Sequence, residues 1–148
     1  MMNFKHKLMA VIQHVVIVSR SGVLLLRYSR YQGQGVEGLW GLPGGHYISG
    51  DPITDLKREV KEETGLRLGG SPRLLKNYVV KFPDGVDRYG VLYLYKLGNA
   101  ARPAISLSNE HTEYLWAGRL DLEVLSFISP YQRLAVEETL DSLNIINF

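Results

Sequence analysis

The sequence predicts one α/β or α+β sandwich, with strands in a mixed sheet covered by two helices. Three observations carry that expectation. Apolar, β-branched runs recur along the chain. Asp51-Pro52 and Ser129-Pro130 both have the form of a helix start. Gly- and Pro-containing breaks separate these segments, and 148 residues fit a single domain, 1–148.

Lys7 to Ser19 is rich in Val, Ile and Met and reads as a buried strand. Arg20-Ser21-Gly22 turns the chain into a second strand, Val23 to Tyr28, giving a hairpin. Ser29 to Leu39 is a polar loop carrying Gly33, Gly35 and Gly38. Trp40 to Leu42 is short and extended, Pro43-Gly44-Gly45 breaks it, and the loop runs on through Ser49-Gly50. Asp51 can accept from free backbone N–H groups, Pro52 fits the first helical position, and Gly65 is a stop, which sets a helix from Pro52 to Thr64. After the Gly69-Gly70-Ser71-Pro72 linker come strands Leu74 to Phe82 and Tyr89 to Lys96, joined by a Pro83-Asp84-Gly85 turn. Asn99 to Pro103 is a loop and Tyr114 to Ala117 a strand. Ser129-Pro130-Tyr131-Gln132 has the capping-box pattern and opens a helix to about Leu143, with Leu134, Leu140 and Leu143 toward the core.

Composition narrows the function classes. Hydrophobic residues are 45% and charged residues 22%, an ordinary globular balance. Without cysteine there are no disulfides and no thiolate metal sites, so any metal takes carboxylate, imidazole or carbonyl ligands. A net charge of +2 gives no reason to expect a stable nucleic-acid partner. Met9 to Val18 is apolar but interrupted by Gln13 and His14, so no membrane span is expected. The expectation is a soluble, cytoplasmic protein; a homodimer is left open.

The chemistry concentrates in Arg58-Glu59-Val60-Lys61-Glu62-Glu63-Thr64-Gly65-Leu66. At about 100° per residue, with Glu59 at zero, Glu62 falls near −60° and Glu63 near +40°, while Leu56, Val60 and Ile53 fall near +60°, +100° and +120°. An acidic stripe therefore adjoins an apolar one, and Arg58 can pair with Glu62 at i+4. Like charges at these spacings repel, and a hard dication relieves that. Alone, the acids would read as a solvated face balanced by Arg58 and Lys61.

The surrounding residues change that reading. Leu42-Pro43-Gly44-Gly45 followed by Arg58 to Leu66 resembles the signature of the Nudix hydrolases, which runs G, five residues, E, seven residues, R-E-U-x-E-E-x-G-U, with U bulky and aliphatic. The second half matches at every specified position. In the first half, five residues after Gly45 stands Asp51, whereas seven residues before Arg58 leave Gly50. The loop is thus one residue short with Asp in place of Glu, and Asp51 would cap the helix in that structural role. The resemblance extends to Val15 to Ser19, Gly22, Leu24-Leu25-Leu26-Arg27 and Trp40-Gly41-Leu42-Pro43-Gly44-Gly45, and to Glu110 six residues before Trp116.

The resemblance implies an α/β/α sandwich with a mixed β-sheet between helices and a pyrophosphohydrolase using Mg²⁺, with Mn²⁺ an alternative. It implies that Glu62 and Glu63 ligate metal, that Gly44 offers its carbonyl, and that Glu59 binds a second metal or acts as base. Arg58 would hold the acids in place. Glu110 would be a further ligand, with Glu113 its competitor. His111 is either a base or a solvated loop residue. Arg27 is a candidate for phosphate, against a surface pair. Tyr28, Tyr47 and Phe82 are candidates for stacking on a base, against structural roles; Trp40 and Trp116 are expected to pack. The substrate would be a small nucleotide, a nucleoside diphosphate linked to another group, such as a nucleoside triphosphate or ADP-ribose. Pro83, seventeen residues after Leu66, adds little to that choice. The alternative is a catalytically weak nucleotide-binding or sensor module disabled by the shortened loop.

Overall fold

The computed structural model describes residues 5–20, 22–30, 35–82, 84–98 and 103–146. Ser21 of the hairpin turn, Gly33 of the polar loop, Pro83 and residues 99–102 of the later loop lie outside them. The elements are β1 Ala10–Ser19, β2 Gly22–Tyr28, β3 Trp40–Gly41, β4 Gly44–His46, α1 Pro52–Thr64, β5 Arg73–Val80, β6 Arg88–Lys96, β7 His111–Ala117, a 3-10 turn at Leu120–Glu123 and α2 Pro130–Ile146.

All the strands join one mixed sheet with β1 at its centre. β1 runs parallel to β6 from Ala10↔Arg88 to Val18↔Lys96, and β5 lies antiparallel beyond β6. Side chains of β1 alternate between two cores. Val16 and Val18 join Leu25, Leu92, Ala135, Val136 and Leu140 on the α2 side. Val15 and Ile17 join Leu24, Leu26, Leu56, Val60 and Trp116 on the α1 side. Both faces of the strand are covered, which is why its sequence is nearly continuously apolar. The sheet between helices is the α/β/α sandwich that the resemblance implied. Among the described residues no helix is long and apolar enough to cross a membrane.

The structure corrects several expectations. β1 begins at Ala10 rather than Lys7, whose ammonium instead pairs with Asp87. The β1–β2 hairpin pairs only at Val18↔Val23 and Ser19↔Gly22. Beyond that point β2 leaves β1 for β3 and β7. The edge it vacates is taken by β4, with Ile12↔His46, Gln13↔Gly45 and His14↔Gly44 paired. The Pro43-Gly44-Gly45 break is therefore partly a strand. Gly44 has φ +144°, and a Cβ there would lie 2.7 Å from the His14 Cα and run into the Gln13 carbonyl. Only glycine allows that approach. β7 starts at His111 rather than Tyr114. Leu134 is 44% exposed, so only Leu140 and the half-buried Leu143 of the expected trio pack on the core. The capping box is half formed. The Ser129 hydroxyl accepts from the Tyr131 and Gln132 N–H groups, but the Gln132 carbonyl oxygen accepts from the buried Leu42 N–H at 2.8 Å instead of the side chain reaching back to the cap.

Candidate active site

α1 is set at both ends as its sequence requires. The Asp51 carboxylate accepts the Thr54 N–H at 2.9 Å, and Gly65 takes the left-handed conformation with φ 77°. Leu56 and Val60 are fully buried against the sheet, each contributing about 1.5–3 kcal/mol and fixing the helix's rotation. That rotation sorts the acids.

Glu63 points inward and is 5% exposed, with one carboxylate oxygen 2.9 Å from the Gly44 N–H. Burial pushes its carboxyl well above the usual range; Glu110, Glu59 and Glu62 add to this, against the Gly44 N–H. Glu59 sits at the cavity edge beside Gly45, its side chain 16% exposed. Burial raises it too, while the Arg58 guanidinium pulls it back. Glu62 faces outward at 58% exposure, and both its oxygens accept from Arg58. Arg58 also holds Glu59 at 2.9 Å and Asp55 at 2.9 Å, and these bonds secure its own charge. Arg58 thus contacts Glu59 and Glu62 of the turn, while Glu63 is bonded to the Gly44 N–H.

Glu59, Glu63, Glu110, Gly44 and Gly45 line a cavity of about 450 Å³. Ile12, Ile48, Tyr28, Tyr78, Val80 and Phe82 add apolar and aromatic lining. Such a cavity suits a flat ring with a charged tail. Tyr28 and Phe82 are thus brought to the acids. Tyr47 is not: its hydroxyl donates to the Gly50 carbonyl at 2.6 Å. Arg27 is also absent from the lining. It donates to Glu113 at 3.0 Å and to the Gly38 carbonyl at 3.4 Å, and both charged side chains are about half exposed. Arg27 and Glu113 are cross-strand partners, next along β2 from Tyr28. Of the two acids considered for a further ligand, Glu110 faces Glu63 and Glu113 does not. Trp40 packs on the α2-side core and Trp116 on the α1-side core, as expected.

Asp55, His14 and Arg88 were not singled out as site residues from the sequence. Asp55 is a buried carboxylate that accepts from the Ile48 N–H at 3.2 Å and from two Arg58 nitrogens. It ties the loop before α1 to the acidic turn. His14 lines the cavity, and burial lowers it to about 4. His111, weighed as a base or a solvated loop residue, is instead a buried residue of β7; burial lowers it to about 4, and it stands beside Glu63 and Glu110. Both imidazoles are neutral at pH 7. At the mouth the Arg88 guanidinium covers the Phe82 ring at 4.1 Å and donates to His46. The lone histidine inside the apolar run of β1 was the one available signal for His14.

The donor set suits a divalent cation. Oxygens of Glu63 and Glu110 and a nitrogen of His111 lie within 4.8 Å of one another. The crowding that raises the Glu63 carboxyl is relieved by a positive charge.

A family model described as NUDIX domain matches residues 9–136. Three solved structures illustrate the likeness. A MutT protein from Methanosarcina mazei Go1 is 23% identical with a TM-score of 0.73, over 94% of this chain and 97% of that one. The NUDIX domain of Shewanella oneidensis NrtR, complexed with ADP ribose, is 19% identical with a TM-score of 0.69, over 95% and 90%. The E. coli dihydroneopterin triphosphate pyrophosphohydrolase is 20% identical with a TM-score of 0.69, over 92% and 99%. At these identities the structural likeness concerns the fold. No curated protein matches the chain.

Proposed function

Because the chain belongs to the Nudix family of pyrophosphohydrolases, we propose that it hydrolyses the phosphoanhydride of a nucleoside diphosphate linked to another group, with Mg²⁺ or Mn²⁺ as cofactor. The observation that carries this reading is the convergence of Glu59, Glu63 and Glu110 on one cavity that Tyr28, Tyr78 and Phe82 also line. A bound cation neutralises charge on the diphosphate and acidifies a water. Glu63 and Glu110 would hold it, with the Gly44 N–H fixing the Glu63 carboxylate. Glu59 would orient the attacking water from the cavity edge or hold a second cation. Tyr28 and Phe82 would receive the base, and Arg58 would keep Glu59 and Glu62 on station. Glu62 would join the cation only by exchanging Arg58 for it.

The substrate is a nucleoside triphosphate or a derivative such as ADP-ribose. The test is phosphate and pyrophosphate release across both classes with Mg²⁺ and with Mn²⁺. Wild type should turn over at least one class, and Glu63→Gln should lose about a hundredfold or more in kcat. Glu110→Gln should be impaired and Glu113→Gln should not. Wild type as inert as Glu63→Gln on every substrate would refute hydrolysis. Nucleotide binding that persists in that inert protein would make it a binding module.

A further inference from the structure

A metal centre made only of carboxylates leaves one feature of this site unused. His111 is 5% exposed, and among the described residues neither of its ring nitrogens has a hydrogen-bond partner. A neutral imidazole carries one donor and one acceptor, and buried polar atoms are nearly always paired. Yet a His111 nitrogen and oxygens of Glu63 and Glu110 lie within 4.8 Å of one another. Two donors on one cation at about 2.1 Å stand roughly 3–4 Å apart, so small side-chain adjustments would close this group on an ion.

The backbone is built to put His111 there. β2 and β7 pair regularly from Val23↔Ala117 to Arg27↔Glu113, and then Tyr28 pairs with His111. Thr112 is the extra residue of a β-bulge. Pairs in a ladder share a face, and Leu24 and Trp116, paired, both lie in the α1-side core. Tyr28, four residues on from Leu24, faces the same way and lines the acidic cavity. In an unbroken register Thr112 would stand opposite Tyr28. The bulge gives that inward place to His111, the kind of re-aiming that bulges supply beside functional sites. The neighbouring loop is held as well. The Ser29 N–H donates to the Glu110 carbonyl at 2.9 Å, and the Ser29 hydroxyl donates to the Asn109 carbonyl at 2.8 Å.

We propose that His111 is a metal ligand, forming with Glu63 and Glu110 a mixed nitrogen–oxygen site that takes Mn²⁺ or another first-row transition ion in preference to Mg²⁺. This rests on the reading of Glu63 and Glu110 as the residues that hold the catalytic cation. Imidazole suits transition ions, whereas Mg²⁺ favours oxygen and keeps its waters. One imidazole among the protein ligands therefore shifts the site's preference away from Mg²⁺.

The experiment is Mn²⁺ and Mg²⁺ titration of the full chain, with pulsed electron paramagnetic resonance of bound Mn²⁺ to detect a coupled ring nitrogen. Wild type should show that coupling. His111→Gln should lose it, with Mn²⁺ affinity down about tenfold or more and Mg²⁺ affinity down less than about threefold. His14→Gln, at a buried histidine that lines the cavity, should keep it. Wild-type Mn²⁺ bound without nitrogen coupling overturns the inference and leaves the carboxylate reading intact. Coupling lost in His14→Gln but kept in His111→Gln overturns it too, as does an equal fall in both affinities. No Mn²⁺ binding at all overturns both readings. If His111→Gln does not fold, the wild-type spectrum and His14→Gln decide.

Discussion

Asp55→Ala isolates what the shortened loop demands. Asp55 is the buried anchor between the loop and the acidic turn, with its side chain 5% exposed. Its removal strands the Ile48 N–H, which costs about 1 kcal/mol. It also takes from Arg58 its two-point partner. The Arg58 side chain is 40% exposed and keeps Glu59 and Glu62, so water replaces that partner. The loss of about 1 kcal/mol should lower Tm by roughly 3–4 °C. Function should suffer more than stability. Arg58, freed on one side, no longer fixes Glu59, and a misplaced group costs about tenfold to a hundredfold in kcat with KM little changed. Asp55→Asn, which keeps an acceptor for Ile48, should recover most of the Tm but less of the kcat. Asp51→Ala, which removes only the cap, should lower Tm and leave kcat nearly intact. Thermal unfolding and steady-state kinetics of the three variants test this. An Asp55→Ala protein within about 2 °C and twofold of wild type would refute the tether.

The bound cation should itself be a stabiliser: at about a hundred times its Kd it adds about 2.7 kcal/mol, roughly 8–10 °C in Tm, and chelation removes it. Glu63→Gln should show no such rise and should match or exceed metal-free wild type, because it removes an acid raised by burial and by its acidic neighbours. In acid, His14 binds a proton at about 6.5 unfolded and only near 4 folded, so stability is full above 6.5, falls as pH drops between those values, and loses at most about 3 kcal/mol. Urea unfolding at pH 7.5 and 4.5 should show this loss, with His14→Gln visibly flatter. Gly44→Ala should fail to give folded protein, because a Cβ there meets the Gln13 and His14 backbone at a positive φ. Gly45→Ala should fold with a near-normal circular dichroism melt, since its Cβ would stand 3.5 Å from the Glu59 carboxylate.

Much of the fold was legible because it is locally encoded. Asp51, Pro52 and Gly65 set the limits of α1 by cap chemistry, and the 3.6-residue period of Leu56, Val60 and Glu63 set its rotation. The acids of the site were readable from the same turn. Pairing was not. Gly44 to His46 becomes a strand because β2 peels away and leaves a β1 edge open, which no local pattern announces. Gln132 sits where a capping box wants it, but the Leu42 N–H in the core is a buried donor and takes it instead. Asp55 carries no signal of its own in the helix pattern; its partners come from the loop and from Arg58. His111 and Glu113 are two residues apart, which in a regular strand means one face, and only the bulge sends one inward and the other to Arg27.

The same physics separates the acids of the turn. Glu59, Glu62 and Glu63 look equivalent in a signature, yet each has a different electrostatic neighbourhood. Glu62 is solvated and satisfied by Arg58, so it gains least from a cation. Glu63 has only the Gly44 N–H against a buried site shared with Glu110, so it gains most. Glu59 lies between: burial raises it, the Arg58 guanidinium pulls it back, and it lines the cavity where a water can meet it. Arg58 is therefore the element that divides the work. By taking Glu62 outward it leaves the interior with fewer like charges than the sequence suggests, and His111 stands beside Glu63 and Glu110 there. The cavity is left with three carboxylates, Glu59, Glu63 and Glu110, rather than four, so there is less like charge for a cation to offset.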